Sequence, residues 1–118
     1  MKESIIRNKS FQLSLKIIQF YKKLLNEKEF IISRQLLKSA TSIGANIEEA
    51  LAGQSKKDFI AKMSISSKEA RETKYWLRLL KESELTLLDV NDELKSIEEL
   101  IKMLTAIVKT SQLSITKN

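Results

Sequence analysis

Six side chains between Ser55 and Lys81 offer the clearest chemistry in this sequence. At about 100° per residue on a helix, Lys57, Lys68, Arg71, Tyr75 and Arg78 share one side, and Lys74 stands at its edge. A row of cations with one aromatic and few interleaved acids suits a phosphate backbone: Arg and Lys contact phosphates, and Tyr can stack on an unpaired base. The plainer reading is a solvated helix face, which is what most charge runs are. Nothing resembles a device for reading base edges; there is no zinc finger, no RNP-type aromatic strand and no recognition-helix turn.

Other chemistry is excluded by what the chain lacks. It has no His and no Cys, which removes the commonest general base, the commonest metal ligand, the thiolate nucleophile and any disulfide. No glycine-rich phosphate loop exists, and Ser and Thr have no His to activate them. Glu48, Glu49, Glu69 and Glu72 invite comparison with carboxylate di-metal bundles, but those rely on Glu-x-x-His pairs. Helix-surface ion pairs suit these residues better. The expectation is no enzyme, no metal and no cofactor.

Charge is sorted into blocks along the 118 residues. Residues 1–26 carry a net +5, residues 27–53 −1, residues 54–81 +5, residues 82–101 −6 and residues 102–118 +3, for +6 overall. Folded, such a chain presents separate basic and acidic regions, and a basic region facing water attracts polyanions. The acids opening the last helix, Asp89, Asp92, Glu93, Glu98 and Glu99, complement a helix N-terminus. They could also meet the basic face of another copy.

The elements that must position these groups are helices. With no Pro and only Gly44 and Gly53, little interrupts regular structure, and apolar residues recur at helical spacing in four stretches. The first runs from about Ser10 to Asn26 on Phe11, Leu15, Ile18 and Leu25. Ser33 is a candidate cap for the second, striped by Leu36, Ala40, Ile43, Ile47 and Leu51, with Gly53 as the helix-ending glycine. Ser55 with Asp58 forms a capping box for the third, whose stripe is Phe59, Met63, Ser66, Ala70, Thr73, Leu77 and Leu80. Asp89 or Thr86 caps the fourth, on Val90, Leu94, Ile97, Ile101, Leu104 and Val108. Short connections between long helices imply an all-α, antiparallel up-down-up-down four-helix bundle, one domain over residues 1–118. No apolar run reaches the roughly 20 residues that span a bilayer, and the N-terminal residues lack a signal-peptide core, so the expected location is cytoplasmic, without membrane.

Two helices carry more apolar surface than one core explains. Leu13, Ile17, Phe20 and Leu24 form a second stripe on helix 1, and Ile65, Trp76 and Leu79 lie off the main face of helix 3. Either they pack under neighbouring helices, or they form a homo-oligomer interface, the favoured reading because soluble monomers seldom expose contiguous apolar patches. Asn46, at the margin of the helix 2 stripe, is expected to hydrogen-bond a neighbouring helix and fix packing register.

The run Arg34-Gln35-Leu36, then Ser42-Ile43-Gly44-Ala45-Asn46-Ile47-Glu48-Glu49-Ala50 and Ser55-Lys56-Lys57-Asp58-Phe59, resembles the four-helix bundle proteins encoded in intervening sequences of bacterial 23S rRNA genes. Glu69-Ala70-Arg71-Glu72-Thr73-Lys74-Tyr75-Trp76-Leu77 is similar to the continuation in one branch. Ser42, Ile43, Asn46, Ile47 and Glu49 match the wider family pattern, whereas Gly44, Ala45, Glu48 and Ala50 depart from it. Ala50-Leu51-Ala52-Gly53 stands where a Gly-Tyr-Gly-Arg stretch is usual, losing a glycine-rich turn and an Arg. The resemblance implies an antiparallel bundle, often a ring-like homopentamer. It extends to the accessory variability determinant proteins of diversity-generating retroelements, which bind nucleic acid and a reverse transcriptase.

Together these readings describe a non-enzymatic homo-oligomeric bundle that binds RNA or DNA non-specifically through Lys57, Lys68, Arg71, Lys74, Tyr75 and Arg78. The alternative is a protein-interaction adaptor with an acidic partner and no nucleic acid.

Overall fold

The computed structural model of the protein describes residues 2–116, with side chains from residue 5 to residue 115. Four helices follow one another: α1 Lys2–Asn26, α2 Ile32–Leu51, α3 Lys56–Ser83 and α4 Asn91–Thr116. Among the described residues there is no strand.

Cross-helix pairs give the direction of each helix. From α1 to α2, Arg7 meets Glu48 and Ser10 lies against Gly44. From α2 to α3, Ile43 meets Ser66 and Ser39 meets Thr73. From α3 to α4, Arg71 meets Thr105 and Lys74 meets Glu98. Lys9 with Glu99 and Lys16 with Asp92 close α1 onto α4. In every set of two, one residue number rises as the other falls, so all four neighbouring pairs are antiparallel and the helices form a closed square.

The core stripes of α2, α3 and α4 are those their spacing predicts. Leu36, Ala40, Ile43 and Ile47 of α2, and Met63, Ser66, Ala70, Thr73, Leu77 and Leu80 of α3, are fully buried. Leu51, Phe59, Leu94, Ile101 and Val108 pack against that core from its edge. Small residues let α2 and α3 approach closely, and their hydroxyls are satisfied there. Ser66 Oγ donates to the Ile43 carbonyl at 2.9 Å, and Thr73 Oγ1 lies 2.9 Å from Ser39 Oγ.

Helix α1 reverses the expectation. Ile6, Ser10, Leu13, Ile17, Phe20 and Leu24 are buried, whereas Phe11 is 60% and Leu15 44% exposed. Leu13, Ile17, Phe20 and Leu24 therefore belong to the core of one chain and cannot serve as an oligomer interface. The helix begins at Lys2, not near Ser10. Extended by two turns, the stripe gains Ile6 and Ser10 and becomes an unbroken alternation of three- and four-residue steps. That narrow seam is what a bundle helix buries.

The helix ends also differ in part. Ser55 caps α3 as expected, its Oγ accepting from the Asp58 amide at 3.1 Å. Ser33 does not cap α2; it is buried and donates its Oγ to the Glu29 carbonyl. The cap is the Glu29 carboxylate, which accepts from the amides of Ile31, Ile32 and Ser33 at 3.2, 2.9 and 2.6 Å. Its longer side chain reaches back over the first turn, where a serine hydroxyl satisfies one donor. Burial alone raises the Glu29 carboxyl, but these accepted hydrogen bonds outweigh it and hold the group below its ordinary value.

Gly53 has no positive φ, and α2 ends on Ala52 in right-handed geometry. A Cβ at Gly53 would stand 3.1 Å from the Ala50 carbonyl and 3.4 Å from Asp58 Cβ, so the glycine serves a close approach. Left-handed termini occur instead at Lys28 (φ 64°) and Glu84 (φ 60°). At Lys28 the amides of residues 28 and 29 bond back to Leu25 and Leu24, a Schellman end made without glycine.

Candidate nucleic-acid interface

Because the buried stripe of α3 points at α2 and α4, the opposite side of the helix must face water. Lys57, Lys68, Arg71, Tyr75 and Arg78 are exposed there, and Lys74 is half-buried at the α4 edge. Their electrostatic freedom differs. Lys74 Nζ stands 3.6 Å from the Glu98 carboxylate, and Arg78 Nε donates to Glu82 at 3.0 Å, one turn along its own helix. Arg71 donates to the neutral Thr105 hydroxyl at 3.1 Å, keeping its charge uncompensated. Among the described residues, Lys57 and Lys68 have no carboxylate within ion-pair distance. The cations of this face without a carboxylate partner are thus Lys68 and Arg71 near its middle and Lys57 in the first turn of α3, while Lys74 and Arg78 are partly neutralised.

Tyr75 is 56% exposed and lies between Arg71 and Arg78 in this row. Its ring meets Trp76 edge-on, with centroids 5.1 Å apart and planes at 71°. Trp76 is half-buried against the core and donates its indole N–H to Glu72 at 3.1 Å. Trp76 thus braces Tyr75 and is tied into one chain. Leu79 is also half-buried, while Ile65 is 41% exposed.

The acids of α4 are used within the bundle. Asp92 pairs with Lys16 at 2.9 Å, Glu99 with Lys9 and Glu98 with Lys74. The hydrogen bond and charge of Lys16 hold the Asp92 carboxyl below its ordinary value, and Lys9 does the same for Glu99. Asp89 accepts from the Asn91 amide at 2.9 Å at the start of the helix. Glu93 is the exception: burial raises its carboxyl, and its Oε1 is buried without a hydrogen-bond partner.

Asn46 does not fix helix register as expected. Its Nδ2 donates to the Ser42 carbonyl at 2.8 Å, one turn back on its own helix. Register between α2 and α3 falls instead to Ser39, Ser66 and Thr73, which carry hydroxyls at positions where the α2 and α3 backbones come close. Phe11 and Leu15 are the exposed pair the sequence reading placed in the core. The signal that finds them is Ile6, whose inclusion decides which of the two α1 stripes continues through the whole helix.

Among the described residues, no group of three or more Asp and Glu is assembled that could hold a metal ion, and no helix is long and apolar enough to cross a membrane. The family model for the 23S rRNA-intervening sequence protein matches residues 2–106. The chain belongs to that family. A crystal structure of a protein of unknown function from the S23 ribosomal protein family, from Bacteroides thetaiotaomicron, is 45% identical to it. That similarity covers 92% of this chain and 99% of the other, with a TM-score of 0.87. No curated protein matches the chain. Family and fold are thus established together, and the family's name describes a gene location without stating an activity.

Proposed function

We propose that this 23S rRNA-intervening sequence family member is a non-enzymatic, homo-oligomeric bundle that binds RNA or DNA non-specifically through the outward side of α3. The observation that carries the reading is the pair of cations without a carboxylate partner, Lys68 and Arg71, one to two turns from the exposed Tyr75, with Lys57 continuing the same side at the start of the helix. Phosphates approaching this face displace condensed counterions, and Tyr75 supplies a ring on which an unpaired base can stack. Selectivity for sequence is not expected, because contacts to phosphates carry no sequence information. The alternative is an adaptor whose basic face meets an acidic protein partner; its form in which that partner is the acidic start of α4 in another copy loses support, because Asp92, Glu98 and Glu99 are already paired within their own bundle.

Self-association is assigned to Phe11 and Leu15 on α1, with Ile65 on α3, since these large apolar side chains remain in water in the single chain. The cytoplasm is the proposed compartment, consistent with a chain that has no cysteine to protect or oxidise.

Fluorescence anisotropy with a labelled single-stranded RNA tests the site. Lys68→Gln with Arg71→Gln should weaken binding and flatten its salt dependence by about 0.7 in log–log slope per lost phosphate contact. Lys95→Gln with Lys102→Gln on α4 should change both much less. Equal losses in the two double variants would show that net charge, not this face, governs binding.

A further inference from the structure

Among the described residues, three cations of the basic face have a side-chain partner, and the partners are of two kinds. Lys74 and Arg78 are held by carboxylates, Glu98 at 3.6 Å and Glu82 at 3.0 Å, so an incoming phosphate competes with a negative charge already in place. Arg71 is held by a hydroxyl. Its Nη2 donates to Thr105 Oγ1 at 3.1 Å, from α3 across to α4. This contact steadies a long side chain without cancelling its charge, and a side chain ordered beforehand loses less freedom when it binds. A guanidinium carries five N–H donors, and Arg71 spends one on Thr105. The rest stay available for the fork that matches two phosphate oxygens.

The Thr105 hydroxyl is itself only half used. On α2, Thr41 and Ser42 donate to the carbonyls of Leu37 and Lys38, one turn back, at 2.8 Å each. That back-bond is an ordinary use of a hydroxyl proton within a helix. Thr105, exposed in the middle of α4, makes no such bond: among the described residues it accepts from Arg71 and donates to none. Its proton is therefore free for water or an incoming acceptor, beside a guanidinium whose charge is uncompensated.

Resting on the reading that the outward side of α3 meets phosphates, we infer that Thr105 of α4 belongs to the same binding site, holding Arg71 in place and donating its hydroxyl proton to the phosphate that Arg71 engages. That phosphate then meets a fork of charged donors from α3 and a neutral donor from α4 at one point. Because Thr105 neutralises nothing, its signature differs from that of a lysine or arginine. Affinity depends on it, whereas the salt dependence, which counts neutralised phosphates, does not.

Anisotropy with a labelled single-stranded RNA over a salt series tests this. Thr105→Val keeps the branched shape at an exposed position and removes only the hydroxyl, so helix content and Tm should match the wild type by circular dichroism. Affinity should fall about three- to tenfold, the worth of one net hydrogen bond, with the salt slope unchanged. Thr105→Ser restores a hydroxyl and should recover most of the loss. Thr105→Glu should both weaken binding and flatten the slope, since Arg71 would then be paired as Lys74 is. In an Arg71→Gln chain, Thr105→Val should cost little more, because both groups serve one phosphate. An Arg71→Gln chain that binds like the wild type would overturn the α3 reading and this inference with it. Weakened binding by Arg71→Gln beside wild-type affinity in Thr105→Val would leave the α3 reading standing and overturn the inference alone. So would a Thr105→Val loss of equal size with and without Arg71.

Discussion

Exchanging the two stripes of α1 has the largest measurable consequence. Ile17 is fully buried, with Leu13 and Leu24 on the same seam, so Ile17→Ala removes core packing and leaves a cavity. Truncations of this kind cost about 2–5 kcal/mol, against a total stability of about 5–15 kcal/mol for a domain of ordinary size. For a chain of this length 1 kcal/mol moves Tm by roughly 3–6 °C, so the variant should melt about 6–30 °C lower while remaining folded at 10 °C. Phe11→Ala with Leu15→Ala removes side chains that are already mostly in water, and the change in intrinsic stability should stay within about 1 kcal/mol. Circular dichroism melts at several protein concentrations, paired with light scattering, separate the two effects, because loss of association lowers Tm only in a concentration-dependent way. The outer pair should lower the mass without lowering the dilute-limit Tm. Refutation would be an Ile17→Ala chain that keeps its Tm and loses its mass, which would return that stripe to the subunit interface.

Three further outcomes follow from the caps and carboxylates. Glu29→Ala should cost about 0.5–2 kcal/mol in chemical denaturation, because three first-turn amides of α2 lose their acceptor. The Glu29 carboxyl is lowered in the folded chain, so its contribution is complete above the ordinary carboxylate range and disappears as pH falls through the lowered value; wild type and variant should converge in acid. Glu93 has the opposite sign: its carboxyl is raised by burial, so the ionised form is a penalty that appears as pH rises through the raised value. Glu93→Gln should therefore stabilise the chain at neutral pH by a few tenths of a kcal/mol to about 1 kcal/mol, and pH-dependent melts should show the gain vanishing in acid. Asn46→Ala loses only a bond within its own turn, so stability should change by about 0.5 kcal/mol or less and RNA affinity should be unchanged in anisotropy.

How much was legible in the sequence depends on the element. The α3 stripe from Phe59 to Leu80 could be read completely because a true capping pair, Ser55 and Asp58, marks where the helical wheel starts. Helix α1 has two apolar stripes of similar strength and no capping pair at its start. Placing the start at Ser10 hid Ile6, and without Ile6 the shorter stripe looks equal to the longer one. The Glu29 cap was not legible for a related reason: a carboxylate can satisfy amides from outside the usual cap position, and only the folded turn shows that it does. The basic face was legible as a set of positions. Of its pairings, Arg78 with Glu82 follows from i,i+4 spacing, whereas Lys74 with Glu98 depends on how α4 lies against α3. Asn46 shows the limit of reading a polar residue on an apolar margin, because an amide there can satisfy itself on its own helix.

The most direct test of the central claim is the salt dependence of single-stranded RNA binding by the unmodified chain. With Lys57, Lys68 and Arg71 each neutralising one phosphate, the logarithm of affinity should fall with the logarithm of salt concentration at a slope of about −2 for one chain, and more steeply for an assembly that engages several faces. No binding at low salt, or binding that salt leaves unchanged, would contradict the account.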